Sequence, residues 1–446
     1  MRRVAVAICL CFIPTWPTWA TSEDNWTRWR GPRMNGIAEN SNPPIEWSET
    51  NNVQWKVAVP GHGSSTPIIW GDLLYVLTAI PTDGSTPPLA AHRNPDAAQG
   101  RGRRRGRGAG PADVEQEFKL LAMKRSDGSV VWERTATKAI PHAGKQQNNS
   151  YASSSASTDG EVIIAYFGSW GLYCYDMEGN LEWSKDLGDM YTRGGFGEGA
   201  TPALHGDTVV VQWDDERQSF IAALDKNTGE ERWRTDRDEV SSWGTPLVVE
   251  HDGRFQVIAT GTKNVTSYDL ETGNVVWYGP GLTLNSIPSS IERDGIVYAT
   301  SGFRGNRALA VRLADAKGDI TGTSAILWQL DRDTPYVPSP LLYEDILYLV
   351  KSNSGILTAV DPATGQAHYG PVRLDGIFEI YASPVGVAGN VIILGRDGNA
   401  LVLENGPELK ILAENSLDDG FDASPAFYGD EMYLRGYRYL YRVSQQ

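Results

Sequence analysis

From about residue 53 to the end of the chain, short runs of alternating apolar and polar residues follow one another, each bounded by Gly, Asp, Asn or Ser. Runs of period two that are too short for an amphipathic helix predict strands joined by tight turns. The clearest example is Ala222-Ala223-Leu224-Asp225-Lys226-Asn227-Thr228-Gly229-Glu230-Glu231-Arg232-Trp233. Its first residues make a buried strand. Asp225 and Asn227 can bond their own backbone, Gly229 accepts a positive φ, and Trp233 lands on the buried face of the returning strand.

The same pattern recurs. A turn glycine is followed four residues later by an aromatic at Gly128 and Trp132, Gly179 and Trp183, Gly273 and Trp277, and Gly365 and Tyr369; Trp328 holds the same place after a small insertion near 314–324. Ahead of each hairpin stands a Ser/Thr-Pro pair and then a Gly-Asp-like turn. These pairs are Thr66-Pro67, Thr201-Pro202, Thr245-Pro246, Ser339-Pro340, Ser383-Pro384 and Ser424-Pro425, with weaker copies at Ser155-Ala156 and Ser289-Ser290. Successive copies lie about 44 residues apart, a period that belongs to solenoids, propellers and arrays. In the seventh unit, Lys410 stands where the aromatic is expected. The last unit, from Phe421, lacks its outermost strand, and the strand around Trp55 is an orphan of that type. Joining the two closes a ring. The expectation is an all-β fold, an eight-bladed β-propeller of four-stranded antiparallel blades over 51–446, with Trp55, Trp132, Trp183, Trp233, Trp277, Trp328 and Tyr369 docking blade to blade.

Composition agrees with this reading: 15 Trp, 19 Tyr and 47 Gly in 446 residues, with a net charge of -15. The acidic balance argues against a nucleic-acid binder. Residues 1–20 read as a secretory signal, with Arg2-Arg3, an apolar stretch and Thr18-Trp19-Ala20. The apolar stretch is too short to span a bilayer, so an exported, periplasmic or extracellular, non-membrane-spanning monomer is expected. Cys9 and Cys11 lie inside the apolar stretch, which argues against lipidation. Cys174 then remains alone and reads as a buried core thiol. Residues 21–50 read as an N-terminal wrap. Residues 81–117, with the run Arg101 to Arg107, read as a disordered Arg/Gly-rich insertion.

The repeat Ala223-Leu224-Asp225, Thr228-Gly229, Trp233 resembles the tryptophan-docking repeat of quinoprotein-type propellers, the pyrroloquinoline-quinone (PQQ) repeat. Trp29-Arg30-Gly31-Pro32, Glu46-Trp47-Ser48-Glu49, Asn149-Ser150-Tyr151-Ala152-Ser153 and Asp422-Ala423-Ser424-Pro425 are similar to exported bacterial PQQ-like propeller proteins. The resemblance implies two functions. One is a non-catalytic scaffold, like the propeller that assembles outer-membrane β-barrels, binding an envelope protein or a small ligand. The other is a PQQ- or Ca-dependent oxidoreductase, a dehydrogenase with its site at the central channel. The chain has no Cys-Cys pair, and its histidines show no zinc-ligand spacing. No Gly-x-Ser-x-Gly occurs, and Gly195-Phe196-Gly197-Glu198-Gly199 precedes a strand where a dinucleotide loop would open a helix. No catalytic residue is assigned, and no cofactor is expected for the scaffold.

In a propeller, the loops leading to the innermost strands gather at the mouth of the central channel. Here they supply His62, Asn149, Tyr151, Arg193, Glu198, Trp243, Asn285, Tyr336, Glu379, Tyr381 and Asp422 as candidate ligand- or partner-binding residues. Glu198, Asn285 and Asp422 carry the hard oxygen atoms that Ca²⁺ would need.

Overall fold

In the computed structural model, which describes residues 25–85, 113–351 and 355–446, the repeats form eight separate sheets. Residues 1–24 and 86–112 lie outside the described residues, and with them the expected signal segment and most of the Arg/Gly-rich insertion. The strands beside that insertion reach further into it than its composition indicates: Leu73–Pro81 pairs with Gln116–Lys124 along its full length. Among the described residues, helix is limited to single 3-10 turns such as Gly168–Trp170.

Each sheet is a blade of four antiparallel strands in sequence order, the first lying innermost. In the third blade these are Ala203–His205, Thr208–Trp213, Ser219–Asp225 and Glu231–Arg237. The eighth blade is completed from the other end of the chain. Val53–Ala58 pairs antiparallel with Tyr439–Val443 and supplies the missing outer strand. Two blades gain a fifth, parallel strand: Ile37–Ala38 beside Val385–Val387, and Gly318–Asp319 beside Val275–Pro280.

In all eight blades the outer strand carries a register shift just before the docking position. The bulge adds local twist and re-aims the next side chain. The aromatic then crosses to the following blade. The indole N–H of Trp55 donates to Arg125 O at 2.9 Å, Trp183 to Lys226 O at 2.7 Å, Trp233 to Leu270 O at 2.8 Å and Trp328 to Pro362 O at 2.8 Å. The ring lies flat against the next turn glycine. A Cβ on Gly273, whose φ is +72°, would sit 2.5 Å from the Trp233 ring, so glycine is required there both by conformation and by space. The equivalent turn at Gly229, which receives Trp183, is shaped by Asp225, whose Oδ1 accepts from the N–H groups of Asn227 and Thr228. Lys226 of the same turn reaches back to Asp159 and Glu161 of the second blade, at 2.7 Å each.

Three docking positions depart from the pattern. Trp277 is fully buried, but its N–H donates to Gln256 of its own blade at 3.2 Å. The small insertion covers it, with Ile320 in the same buried cluster. Tyr369 holds the sixth place with a hydroxyl that finds no partner. In the seventh blade the residue in register is Ala413, opposite Val402. Lys410 closes the turn, its O accepting from the Glu404 N–H and its side chain pairing with Glu404 at 2.7 Å. This turn is one residue longer than the one from Asp225 to Glu230 and has its glycine, Gly406, early, so the sequence placement at Lys410 is corrected to Ala413. Trp47 of the N-terminal wrap is buried in the same cluster as Ala413 and fills the space an eighth aromatic would occupy. Its backbone N–H donates to Asn415 at 2.7 Å.

The Ser/Thr-Pro landmarks stand at the channel wall. The backbone N–H of Thr66 donates to Ser155 Oγ, Ser155 to Thr201, Thr201 to Thr245, Thr245 to Ser289, Ser289 to Ser339, Ser339 to Ser383, Ser383 to Ser424, and Ser424 back to Thr66. The donor–acceptor distances run from 2.9 Å to 3.4 Å. The ring of hydroxyls is closed.

Replacing Trp277 by Ala is expected to cost about 3–5 kcal/mol. Trp233→Ala should cost less, because that ring is only half-buried. Ser339→Ala should cost roughly 1–2 kcal/mol by orphaning the Ser289 N–H. Denaturant unfolding of the three variants checks the order; equal stability of Trp277→Ala and the parent would refute the docking role.

Candidate functional site

The loops that lead into the inner strands meet over a cavity of about 200 Å³ at the channel mouth. All eight hydroxyl-ring residues line it. So do Asn149, Glu198, Trp243, Asn285, Tyr336, Tyr381 and Asp422 from the loops. Gln146, Asn148, Phe196 and Trp29 complete the wall.

Trp29 arrives from the opposite side. The segment from Asn25 crosses the far end of the channel, bonded to inner strands of several blades. Ile69 N–H donates to Trp26 O at 2.8 Å, Thr158 N–H to Thr27 O at 3.0 Å, and Arg28 to Leu204 O at 2.7 Å. On the other side Arg30 donates to Pro340 O at 2.9 Å, and Gly386 N–H to Gly36 O at 2.9 Å. Trp29 lies between these two anchor sets and floors the cavity. Arg30 is entirely buried against it, and burial pulls its guanidinium down to about 9. Gly36 leaves room for that guanidinium; a Cβ there would lie 2.6 Å from Nη2. Sequence reasoning placed this segment as a wrap but gave no sign that Trp29 enters the channel.

Four candidates do not line the cavity. His62 is pinned between blades by bridging Ala79, and burial, with Lys145, Arg435 and Arg396 nearby, holds it down near 3, so it is neutral. Tyr151 packs edge-on to Trp170 at 5.3 Å, and burial raises its phenol to about 12. Arg193 begins a 3-10 turn, its N–H donating to Ser241. Glu379 accepts from Arg396 at 3.1 Å.

The acids at the mouth are held internally. Asp422 accepts from Arg396 at 2.6 Å and from the Tyr437 hydroxyl at 3.1 Å. Arg396 is buried, bridges Asp422 to Glu379 and lies 4.1 Å over the Tyr381 ring. Glu198 accepts from the Ser169 N–H at 2.7 Å and its hydroxyl at 2.6 Å. These bonds favour its carboxylate, but burial outweighs them and pushes the carboxyl up to about 7. Asn285 sits beside Tyr336 and tempers the burial-raised pKa of that phenol, yet neither amide atom makes a hydrogen bond of normal geometry. Cys174 is buried, and its thiol is pushed up to about 12.

Glu198, Asn285 and Asp422 do not fit a Ca²⁺ site. Two are committed to Ser169 and Arg396, and among the described residues no group of three or more His, Cys, Asp or Glu could hold a metal. A PQQ molecule, itself a tricarboxylate, would meet Asp422 and Glu198 on one side of the mouth and the Lys145 ammonium, which donates to Asn149 O at 2.7 Å, on another.

Eight blades, tryptophan docking and a hydroxyl-ringed channel define a PQQ-like β-propeller. Residues 116–368, more than half of the chain, match the family described as outer membrane protein assembly factor BamB, and the chain belongs to that family. No curated protein matches the sequence. Among solved structures, BamB from Moraxella catarrhalis is 14% identical with a TM-score of 0.55, over 75% of this chain and 95% of that one. A europium-containing methanol dehydrogenase is 10% identical with a TM-score of 0.62, over 92% of this chain and 89% of that one. The quinohemoprotein alcohol dehydrogenase ADHIIG from Pseudomonas putida HK5 is 11% identical with a TM-score of 0.59, over 95% and 80%. At these identities the likeness is one of fold.

The raised carboxyl of Glu198 has a pH consequence. Between its ordinary value of 4.5 and about 7, the folded chain holds a proton that the unfolded chain releases. Stability from this group is therefore lost as pH rises through that window, by up to roughly 3 kcal/mol. Glu198→Gln should flatten melting temperature against pH there. His62 acts in the opposite sense: the unfolded chain takes a proton below 6.5 that the folded chain refuses down to about 3. An unchanged slope in Glu198→Gln would show that the carboxyl is not raised.

Proposed function

We propose that this chain is a non-catalytic binding propeller of the cell envelope, a monomeric scaffold whose loop face holds a protein partner. The observation that carries this reading is the pairing of the mouth's acids. Asp422 and Glu379 share the single guanidinium of Arg396, and Glu198 is bonded to Ser169. Redox or hydrolytic chemistry needs an uncommitted base, nucleophile or metal-ligand set, whereas recognition needs only the preorganised wall.

Family membership supports an envelope protein as the partner, and the N-terminal sequence pattern supports export. No helix among the described residues is long and apolar enough to cross a membrane. The loop face also exposes two large apolar side chains, Ile140 at 60% and Phe378 at 42%.

Two measurements test the reading. A photo-crosslinking residue at Phe378 should trap a defined envelope protein in cells, whereas the same residue at Val275 on the outer rim should not. Purified protein mixed with PQQ and Ca²⁺ should show neither bound quinone absorbance nor dye-linked alcohol or sugar oxidation. A tightly bound quinone with turnover would overturn the scaffold in favour of a quinone-dependent dehydrogenase.

A further inference from the structure

One part of the channel wall is left unsatisfied by the protein. Asn285 is 1% exposed and lines the cavity; apart from its approach to the Tyr336 side chain, neither its Oδ1 nor its Nδ2 makes a hydrogen bond of normal geometry. Its backbone is left-handed, with φ of 55°, which Asn tolerates better than most residues. The Trp29 indole N–H at the cavity floor is likewise buried and unpartnered. Burying an amide without partners costs on the order of 1–3 kcal/mol, so a ligand that satisfies it gains what the empty wall lacks.

The surroundings narrow the chemistry. A primary amide presents a donor and an acceptor side by side, which matches two adjacent hydroxyl groups. Flat aromatic surfaces stand around it and are held in place. Trp243 is fixed by its N–H to Gly197 O at 2.7 Å, and Tyr336 stacks on Phe303 with centroids 4.9 Å apart. Such rings offer an apolar face to C–H groups, and the Trp243 N–H stays bonded while they do so. The hydroxyl ring is neutral, and the buried Arg396 is already engaged by Asp422 and Glu379. An apolar ligand would leave the Asn285 amide without good partners, and an anionic one would meet the carboxyl groups of Asp422 and Glu198.

We propose that the channel mouth binds a small neutral carbohydrate. Asn285 bridges two neighbouring hydroxyls of one ring, and Trp243 and Tyr336 provide the stacking surfaces. The cavity of about 200 Å³ restricts the buried part of the ligand to a small unit. This site is separate from the protein partner on the loop rim and stands or falls independently of it.

The test uses the purified protein titrated with D-glucose, N-acetyl-D-glucosamine and myo-inositol, and with D-glucuronate as the charged probe. Calorimetry and tryptophan fluorescence follow binding, since Trp29 and Trp243 line the site. At least one neutral probe should saturate at millimolar concentration or below, with glucuronate about tenfold weaker or more. Asn285→Gly keeps the left-handed backbone accessible and should weaken binding about tenfold, the loss expected for about 1.4 kcal/mol of amide bonding, with the melting temperature unchanged. Asn285→Asp, close in shape, serves as the second variant and should also lose neutral-probe binding. No saturable response to any neutral probe, or full binding by both folded variants, would overturn the proposal.

Discussion

Eight inward-facing backbone N–H groups at the channel wall set the problem this structure has to solve. Each sits where an inner strand begins, with no neighbouring strand on its channel side to accept from it. A buried N–H without a partner is costly, and the eight occur together. The solution is one hydroxyl per blade, placed to accept from the blade before it, until Ser424 donates to Thr66 and the circle closes. The circle fixes the relative position of neighbouring blades at their inner edges. It also makes the channel wall neutral and hydroxyl-lined before any functional residue is added.

The outer edges are tied by a different device acting in the same direction around the ring. The bulge turns an aromatic out of its own sheet and onto the next turn, where a glycine leaves room and a carbonyl accepts the indole N–H. The Asx-type turn that shapes the glycine and the strand that carries the tryptophan are local in sequence; their partner is the next repeat. The two ties restrain a blade at both ends, which explains why the fold tolerates an interruption at 313–325 and the loss of an aromatic at Ala413. In both places other chain fills the gap: the parallel pair at Gly318–Asp319 in one, Trp47 from the wrap in the other.

The fold was largely legible because each repeat states its turn, strand and docking residue locally, and because the orphan strand at Trp55 named its own partner. The hydroxyl ring was visible only as the Ser/Thr-Pro landmark. Its hydrogen bonds join residues from 41 to 89 positions apart, and 358 where the ring closes, and no local rule implies them. The mouth was read in part. Asn149, Glu198, Trp243, Asn285, Tyr336, Tyr381 and Asp422 do converge, since every loop before an inner strand must reach the channel. His62, Tyr151, Arg193 and Glu379 sit on the same loops but point into seams or onto the rim, a choice made by packing partners such as Trp170 and Arg396. Trp29 could not be placed, because it belongs to no repeat and its position depends on anchors in blades distant in sequence. The misplacement at Lys410 has a simple cause: the turn from Glu404 to Lys410 is one residue longer than that from Asp225 to Glu230 and Gly406 stands early in it, so counting four from the glycine stops short of Ala413.

What differs between blades is where function can be written, and here the differences tie charged groups into networks. Arg396 joins Asp422 and Glu379 on one side of the mouth. On another side Arg237 and Asp214 form a fully buried pair, with Gln212, Ser242 and Tyr268 completing its hydrogen bonds. Removing one partner of such a pair would leave an uncompensated buried charge, so these networks bind the loops rigidly and are poorly suited to exchanging a ligand or a proton. A catalytic propeller requires the reverse, charge or base left available at the mouth. Besides Glu198, whose carboxyl is raised to about 7, the mouth leaves available an amide, an indole N–H and aromatic faces. That remainder is suited to recognising shape and hydroxyl pattern, and the rigidity of the walls around it lowers the ordering cost of doing so.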